Sequence, residues 1–257
     1  MTLPSPAPEP LLTPISTPSR LRHGDQGSWT FGAGLARVFN DHVRRSIPGY
    51  ADLHDQCCAL VVPELKAGDL AYDLGCSTGE LTARLAALAP EARVIGVDGE
   101  PEMIAEARRR QASESYHYDG TAQGGESYCC ANLSRFEFEP ARAAVLLYVL
   151  QFLPLTERKA LLRRLVAALG TGGRLILAEK VRYTDPLMQA RLDREYREFK
   201  LGQGFTPNEI EAKARQLEGV LVPLSAQENE ALLREAGFRA VRPIFQALCF
   251  RAWLAET

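Results

Sequence analysis

The chain has no surplus of positive charge: 30 Lys and Arg stand against 32 Asp and Glu, leaving a formal net charge of -2, so nothing draws it generally to nucleic acid. It has no long apolar run either. The longest are of strand length, and no segment is expected to cross a membrane. Residues 1–20 lack the apolar stretch of a secretory signal and carry six prolines instead, so residues 1–28 read as a disordered or loosely draped tail. Histidine is scarce. His23, His42, His54 and His117 form no metal-binding spacing, and only His54, just beyond Tyr50, comes near being a catalytic candidate. The cysteines Cys57, Cys58, Cys76, Cys129, Cys130 and Cys249 lack Cys-x-x-Cys spacing, and adjacent cysteines bridge poorly, so buried free thiols and a cytoplasmic location are expected, with no metal site.

What the chain does contain is one sharply punctuated stretch. Leu70-Ala-Tyr-Asp-Leu-Gly-Cys-Ser-Thr-Gly79 places an apolar run with an acid near its end before a Gly-x-x-x-Gly turn, and Leu81, Leu85 and Leu88 then repeat at helical spacing. This is a strand, a tight turn and a helix. Gly75 and Gly79 let the backbone bend sharply and approach a ligand, and the helix start offers unpaired N–H groups. Asp98, about 20 residues on at the end of the next strand, suits the two hydroxyls of a ribose. Asp73 would repel a phosphate and favours a positively charged amino acid moiety instead. S-adenosylmethionine (SAM), with ribose, adenine, ammonium and sulfonium, meets those demands, and the pair of stretches resembles motifs I and II of class I SAM-dependent methyltransferases.

The remaining elements extend the pattern. Leu35, Val38, Phe39 and Val43 mark an amphipathic helix stopped at Pro48-Gly49, and Leu53, Cys57, Leu60 and Val61 mark a second. Strands are expected at 70–74, 94–97, 128–132, 143–148 and 174–178, alternating with helices at 80–88, from Pro101 and from Thr156, with a polar loop over 111–127. Met103, early in the helix that Pro101 opens, is placed to cover an adenine face. Residues 185–219 read as a charged helical lid. A helix at 229–236 and two strands at 238–244 and 246–253 close the chain. The sum is an α/β, Rossmann-like class I methyltransferase fold: one domain over 29–257, with N-terminal helices at 29–66 and a seven-stranded, mostly parallel sheet with an antiparallel last strand.

A narrower resemblance rests on several short blocks in register. Trp29-Thr-Phe, Arg45-Ser-Ile-Pro-Gly-Tyr50, Tyr72-Asp-Leu-Gly-Cys-Ser77, Leu150-Gln-Phe-Leu153, Thr156-Glu-Arg-Lys-Ala-Leu-Leu162, Glu179-Lys180 and Ala236-Gly-Phe238 together resemble the carboxy-S-adenosyl-methionine synthases, which combine SAM with prephenate for tRNA wobble-uridine modification. The likeness runs from Trp29 to the C-terminus, with an extra insertion near 111–127. It implies that Tyr50 reaches the ligand, that Gly75, Cys76 and Ser77 line its amino acid moiety, that Asp98 and Gly99 take its ribose, and that Asn132 and Leu133 stand beside its adenine where that family has Asp-Ile. It also implies a possible homodimer.

Two departures bear on the reaction. Leu146-Leu147-Tyr148-Val149 replaces Leu-Asn-Phe-Thr, so Leu147 has lost a polar contact to the ligand. Ala212-Lys213-Ala214 replaces Gln-Lys-Arg, whose arginine binds the extra carboxylate of the modified cofactor; Arg215 is one helical step, about 100°, away. The leading expectation is a SAM-dependent transferase moving a methyl group to a small molecule. Tyr50, Tyr148 and Tyr183 either ring the sulfonium with their faces or serve as core tyrosines. Glu179 is either a pocket residue or a salt-bridge partner near Lys180. The alternatives are the synthase reaction with Lys213 or Arg215 as substitute anchor, an intramolecular cyclisation of SAM that expels methylthioadenosine and leaves a ring such as azetidine-2-carboxylate, and a SAM-binding protein without turnover.

Overall fold

The computed structural model describes residues 35–114 and 125–257; the proline-rich tail, Trp29, His23 and His117 lie outside them. Two helices, α1 (Leu35–Ser46) and α2 (Tyr50–Val61), lead into an alternation of β1 (Leu70–Leu74), α3 (Glu80–Leu88), β2 (Arg93–Asp98), α4 (Pro101–Glu114), β3 (Gly125–Cys130), β4 (Ala143–Leu147), α5 (Leu155–Leu169) and β5 (Arg174–Lys180). After them come α6 (Pro186–Gly202), α7 (Pro207–Leu217), α8 (Ala226–Ala236), β6 (Ala240–Ala247) and β7 (Phe250–Glu256).

The strands form one seven-stranded sheet in the order β3-β2-β1-β4-β5-β7-β6. β1 to β5 pair in parallel, and β7 runs antiparallel between β5 and β6. The chain winds outward from β1 through β2 to β3, then returns to build β4 on β1's other side. That reversal opens a crevice at the carboxyl ends of β1 and β4, where such sheets bind ligands.

Alternation along the strands sets the two layers. Leu70, Tyr72 and Leu74 of β1 join Leu146, Leu175, Leu177 and Trp253 beneath α5 and α8. The opposite face offers small residues, Ala71, Ala143, Ala178 and Ala252, against which Leu53 and Cys57 of α2 and Leu81 and Leu85 of α3 pack closely. Strand β3 begins at Gly125 rather than Tyr128, and α4 runs on to Glu114, so the expected 111–127 loop is shorter at both ends. As an edge strand with Glu126 and Ser127 at its start, β3 carries no apolar run to announce it. The lid consists of two capped helices: Asp185 accepts from Leu187 N at the head of α6, and Thr206 and Glu209 form a reciprocal capping box on α7. Among the described residues no helix is long and apolar enough to cross a membrane.

Candidate active site

The turn after β1 is pinned before any ligand arrives. The N–H groups of Gly75 and Cys76 both donate to Val97 O, at 2.7 and 3.1 Å, tying the turn to β2. Gly75 has φ +76° and no space for a side chain: a Cβ there would stand 2.2 Å from Val149 Cγ2 at the end of β4. Gly79 has the same φ, and its Cβ would meet the Tyr128 ring at 2.5 Å. The turn is therefore a backbone-walled cradle across the crevice.

Asp98 holds the next part. One carboxylate oxygen accepts from Ser77 N and the other from Glu100 N, each at 2.9 Å, and the Gly99 amide also favours the charged form. Burial pushes its pKa up, against the pull of those amides. Gly99 beside it is exposed, and a Cβ there would find nothing nearer than Ala131 O at 3.9 Å. Asn132 lies exposed beyond β3, its Oδ1 accepting from Ser134 N at 2.8 Å, with Leu133 buried behind it. A turn bent at two glycines, a carboxylate at the end of β2 and an exposed ledge beyond it fit an adenosyl group.

Three expectations change. Cys76 turns its side chain inward with Ile104, Ala107 and Tyr128, so only its backbone faces the crevice. Met103 is 2% exposed: with Ile104 and Ala107 it is the buried stripe of α4, and it shows no free face to an adenine. Asp73 is also interior, its Oδ2 accepting from the Thr82 hydroxyl at 2.7 Å, and burial pushes its carboxyl up to about 6.

Across the crevice stands an aromatic wall. Tyr50, at the head of α2 after Gly49 (φ +69°), lies 4.3 Å from the His54 ring and 6.4 Å from the Tyr148 ring, centroid to centroid. Tyr148 continues to Phe250 at 5.6 Å, and Phe250 to Tyr196 of α6 at 5.3 Å. Tyr148 has φ +61°, a strained value for a tyrosine, and its buried hydroxyl has no hydrogen-bond partner among the described residues. Leu147 beside it is half-buried. Burial lowers His54 to about 4, so it is neutral at physiological pH. Tyr183 is not part of this wall. It packs with the α5 and α8 layer on the opposite face, where Gln246 Nε2 donates to its hydroxyl at 3.4 Å. Tyr196 and Phe250 take its expected place. The i, i+4, i+7 run of Leu192, Tyr196 and Phe199 in α6 was the available sign of Tyr196.

A buried network holds the strained Tyr148. Glu179, at the end of β5, accepts from Leu150 N and Gln151 N, both at 2.9 Å, and Gln151 Oε1 accepts from Lys180 N at 3.1 Å. Tyr148 N donates to Ala178 O at 2.6 Å. Arg158, 1% exposed, donates to Leu153 O and Val222 O. Burial pushes Glu179 up to about 8, opposed by Arg158 and the amide donors. Glu179 thus braces the turn after β4 and does not line the crevice. The Leu150-Gln-Phe-Leu153 block is the sequence of this brace.

The lid leans on the N-terminal helices. Tyr196 donates its hydroxyl proton to Ser46 O at 2.9 Å, Arg45 Nε donates to Gln203 O at 2.9 Å, and Phe205 meets His42 edge-on at 5.4 Å. Lys213 is half-buried, and desolvation pulls its ammonium down to about 8. Ala214 is exposed, and Arg215 points to solvent 4.0 Å from Glu211. Among the described residues no group of acids, histidines and cysteines is arranged to hold a metal ion.

A family model described as a methyltransferase domain matches residues 71–173. The carboxy-S-adenosyl-L-methionine synthase of Chromohalobacter salexigens is 36% identical over 230 residues, covering 89% of this chain and 83% of its own. That of Pasteurella multocida is 33% identical over 231 residues, covering 89% and 93%. Among solved structures, the magnesium protoporphyrin IX methyltransferase of Synechocystis with bound S-adenosylhomocysteine superposes with a TM-score of 0.58 at 20% identity, over 86% of this chain and 94% of the other. A methyltransferase from Nostoc punctiforme, described as a putative O-methyltransferase, also gives 0.58, at 16% identity over 87% and 59%. The glycine turn after β1, the acid at the end of β2 and these likenesses converge: the chain belongs to the carboxy-S-adenosyl-L-methionine synthase family, SAM-dependent transferases on the class I methyltransferase fold.

Proposed function

We propose that this chain binds SAM across the β1 and β4 crevice and transfers its methyl group to a small-molecule acceptor, without making carboxy-SAM. The observation that carries this reading is the lid stretch 212–215. Ala214 is exposed where the family's arginine would be, and Arg215 is turned toward Glu211, so that stretch supplies no guanidinium fork for a second carboxylate.

SAM supplies an already activated sulfonium. The protein's task is alignment and exclusion of water. In this reading Gly75, Ser77 and the turn amides hold the amino acid end, Asp98 and Gly99 the ribose, and Asn132 and Leu133 flank the adenine. Leu147, Tyr148 and Tyr50 close an apolar, ring-lined mouth that favours a cation. No general base is needed for an acceptor that is already nucleophilic.

The synthase reaction remains the second reading, favoured by 36% identity over 230 residues and by Lys213, a desolvated amine on the same lid helix. One experiment separates the readings: incubate the protein with SAM alone, with prephenate, and with a panel of small nucleophiles, and identify the adenosyl product by mass spectrometry. S-adenosylhomocysteine appearing only with an acceptor supports methyl transfer. Carboxy-SAM formed with prephenate overturns it, as does methylthioadenosine formed from SAM alone.

A homodimer and a cytoplasmic location accompany the proposal. The 17-residue α6 has no buried residue, yet shows Leu187 83% and Met188 41% exposed, and all six cysteines are free thiols. Sedimentation as a monomer at micromolar concentration would remove the dimer.

A further inference from the structure

The ring wall ends in a cluster of cations. Lys180 Nζ at the end of β5 and Lys200 Nζ on α6 both lie over the Tyr196 ring, 5.0 and 4.3 Å from its centroid. Arg197, beside Tyr196, adds to the positive field on Lys200. All three are half-buried, and among the described residues no ion pair includes any of them. The acids of α6 beside the cluster, Asp193, Glu195 and Glu198, are all exposed; Asp193 accepts from Gln189 Nε2 at 2.9 Å and Glu195 lies 3.9 Å from Arg191. A ring face attracts a cation, but two ammoniums on one ring also repel each other. Both stems are flexible enough to part, so their convergence points to a missing negative charge. Burial and its cationic neighbours lower the Lys200 pKa, as expected of a positive site lacking its counter-ion.

The cluster also stands in a useful place. Tyr196 contacts Phe250, which contacts Tyr148, so a chain of buried edge-to-face ring contacts links the crevice side of the sheet to the lysines. Lys180 lies two residues beyond Ala178, whose carbonyl receives Tyr148 N.

We infer that Lys180, Lys200 and Arg197 form a carboxylate-binding subsite for the acceptor, a small molecule whose acid meets the lysines where the lid helix docks on the end of β5. This rests on the proposed function above and names the chemical class of the acceptor. The subsite is separate from position 214 on α7.

The test uses the full chain saturated with S-adenosylhomocysteine and two probes of similar shape, benzoate and benzyl alcohol, titrated by NMR or calorimetry. Benzoate is expected to bind and benzyl alcohol not to, with benzoate affinity falling as sodium chloride rises from about 50 to 300 mM. Lys180→Gln and Lys200→Gln should each weaken benzoate about 10- to 100-fold, the usual value of one charge-assisted hydrogen bond, while Lys200→Arg retains it. Equal binding of the two probes overturns the inference, as do salt-independent affinity in the wild-type protein and unchanged affinity in both glutamine variants. Failure of S-adenosylhomocysteine itself to bind sinks the parent reading. Its binding without benzoate binding sinks only this one.

Discussion

Replacing Gly75 by alanine tests the cradle through two separable effects. The first is conformational: at φ +76° an L side chain costs about 1–2 kcal/mol. The second is steric, since the new Cβ would lie 2.2 Å from Val149 Cγ2, and overpacking of this kind costs about 1–3 kcal/mol. Reduced freedom of the unfolded chain returns about 0.4–1 kcal/mol, so Gly75→Ala should destabilise by roughly 2–4 kcal/mol. Gly68 provides the control. Its φ is +81° and nothing lies within 4 Å of its would-be Cβ, so Gly68→Ala should lose only the conformational part, about 0.5–1.5 kcal/mol. Adding Val149→Ala to Gly75→Ala should recover the steric part, a favourable coupling of about 1–3 kcal/mol in a double-mutant cycle. Urea denaturation gives the four stabilities, and calorimetry gives SAM affinity, which should fall with Gly75→Ala alone and partly return in the double variant. If Gly75→Ala and Gly68→Ala cost the same within about 0.5 kcal/mol, or if Val149→Ala gives no rescue, the close approach of β1's turn to β4 is not what holds the crevice.

Other consequences follow from the buried groups. Glu179 is pushed up to about 8 from its ordinary 4.5, so between those values the unfolded chain has released a proton that the native protein keeps, and stability falls as pH rises. Below pH 6.5 the depressed His54 opposes this trend and the raised Asp73 adds to it; between pH 6.5 and 8 Glu179 dominates, at up to about 1.4 kcal/mol per pH unit, offset near pH 8 by the depressed Lys213 amine, for a net fall of roughly 1 kcal/mol across the window. Urea titrations at both ends of that window should show the fall, and Glu179→Gln should flatten it; a flat wild-type profile contradicts the assignment. Tyr148→Phe removes a buried hydroxyl without a partner, so the ligand-free protein should melt at the same or a higher temperature, and a loss above about 1 kcal/mol would reveal a protein partner. Ala214→Arg restores a fork at an exposed lid position and should raise affinity for carboxy-SAM about tenfold or more by calorimetry; no gain would show that position 214 does not face the ligand.

The sequence showed the scaffold because its elements obey short-range rules. Apolar β1 and β4, the leucine spacing of α3 and the glycines of the turn each act within a few residues, and together they imply the sheet and its crevice. Asp98 was legible because a carboxylate at the end of the second strand has one predictable neighbour, the turn, and the Ser77 N–H does reach it. Direction of side chains was harder to read. Met103 sits on a helix whose buried stripe also includes Ile104 and Ala107, and the phase of that stripe depends on how α4 lies on the sheet. Tyr183 follows β5 by three residues, and the turn there sends it to the opposite face from Tyr148, which alternation within a strand does not foretell. The cations converging on Tyr196 come from β5 and α6, and only the docking of the lid brings them together.

The proposed chemistry depends on the turn after β1 and Asp98 jointly holding an adenosyl group. Calorimetric titration of SAM into the wild-type chain and into Asp98→Ala tests that most directly. One saturable site is predicted, with affinity reduced at least tenfold in the variant because a ribose diol loses its charged acceptor. No heat with the wild-type protein, or equal affinity in the two, would contradict it.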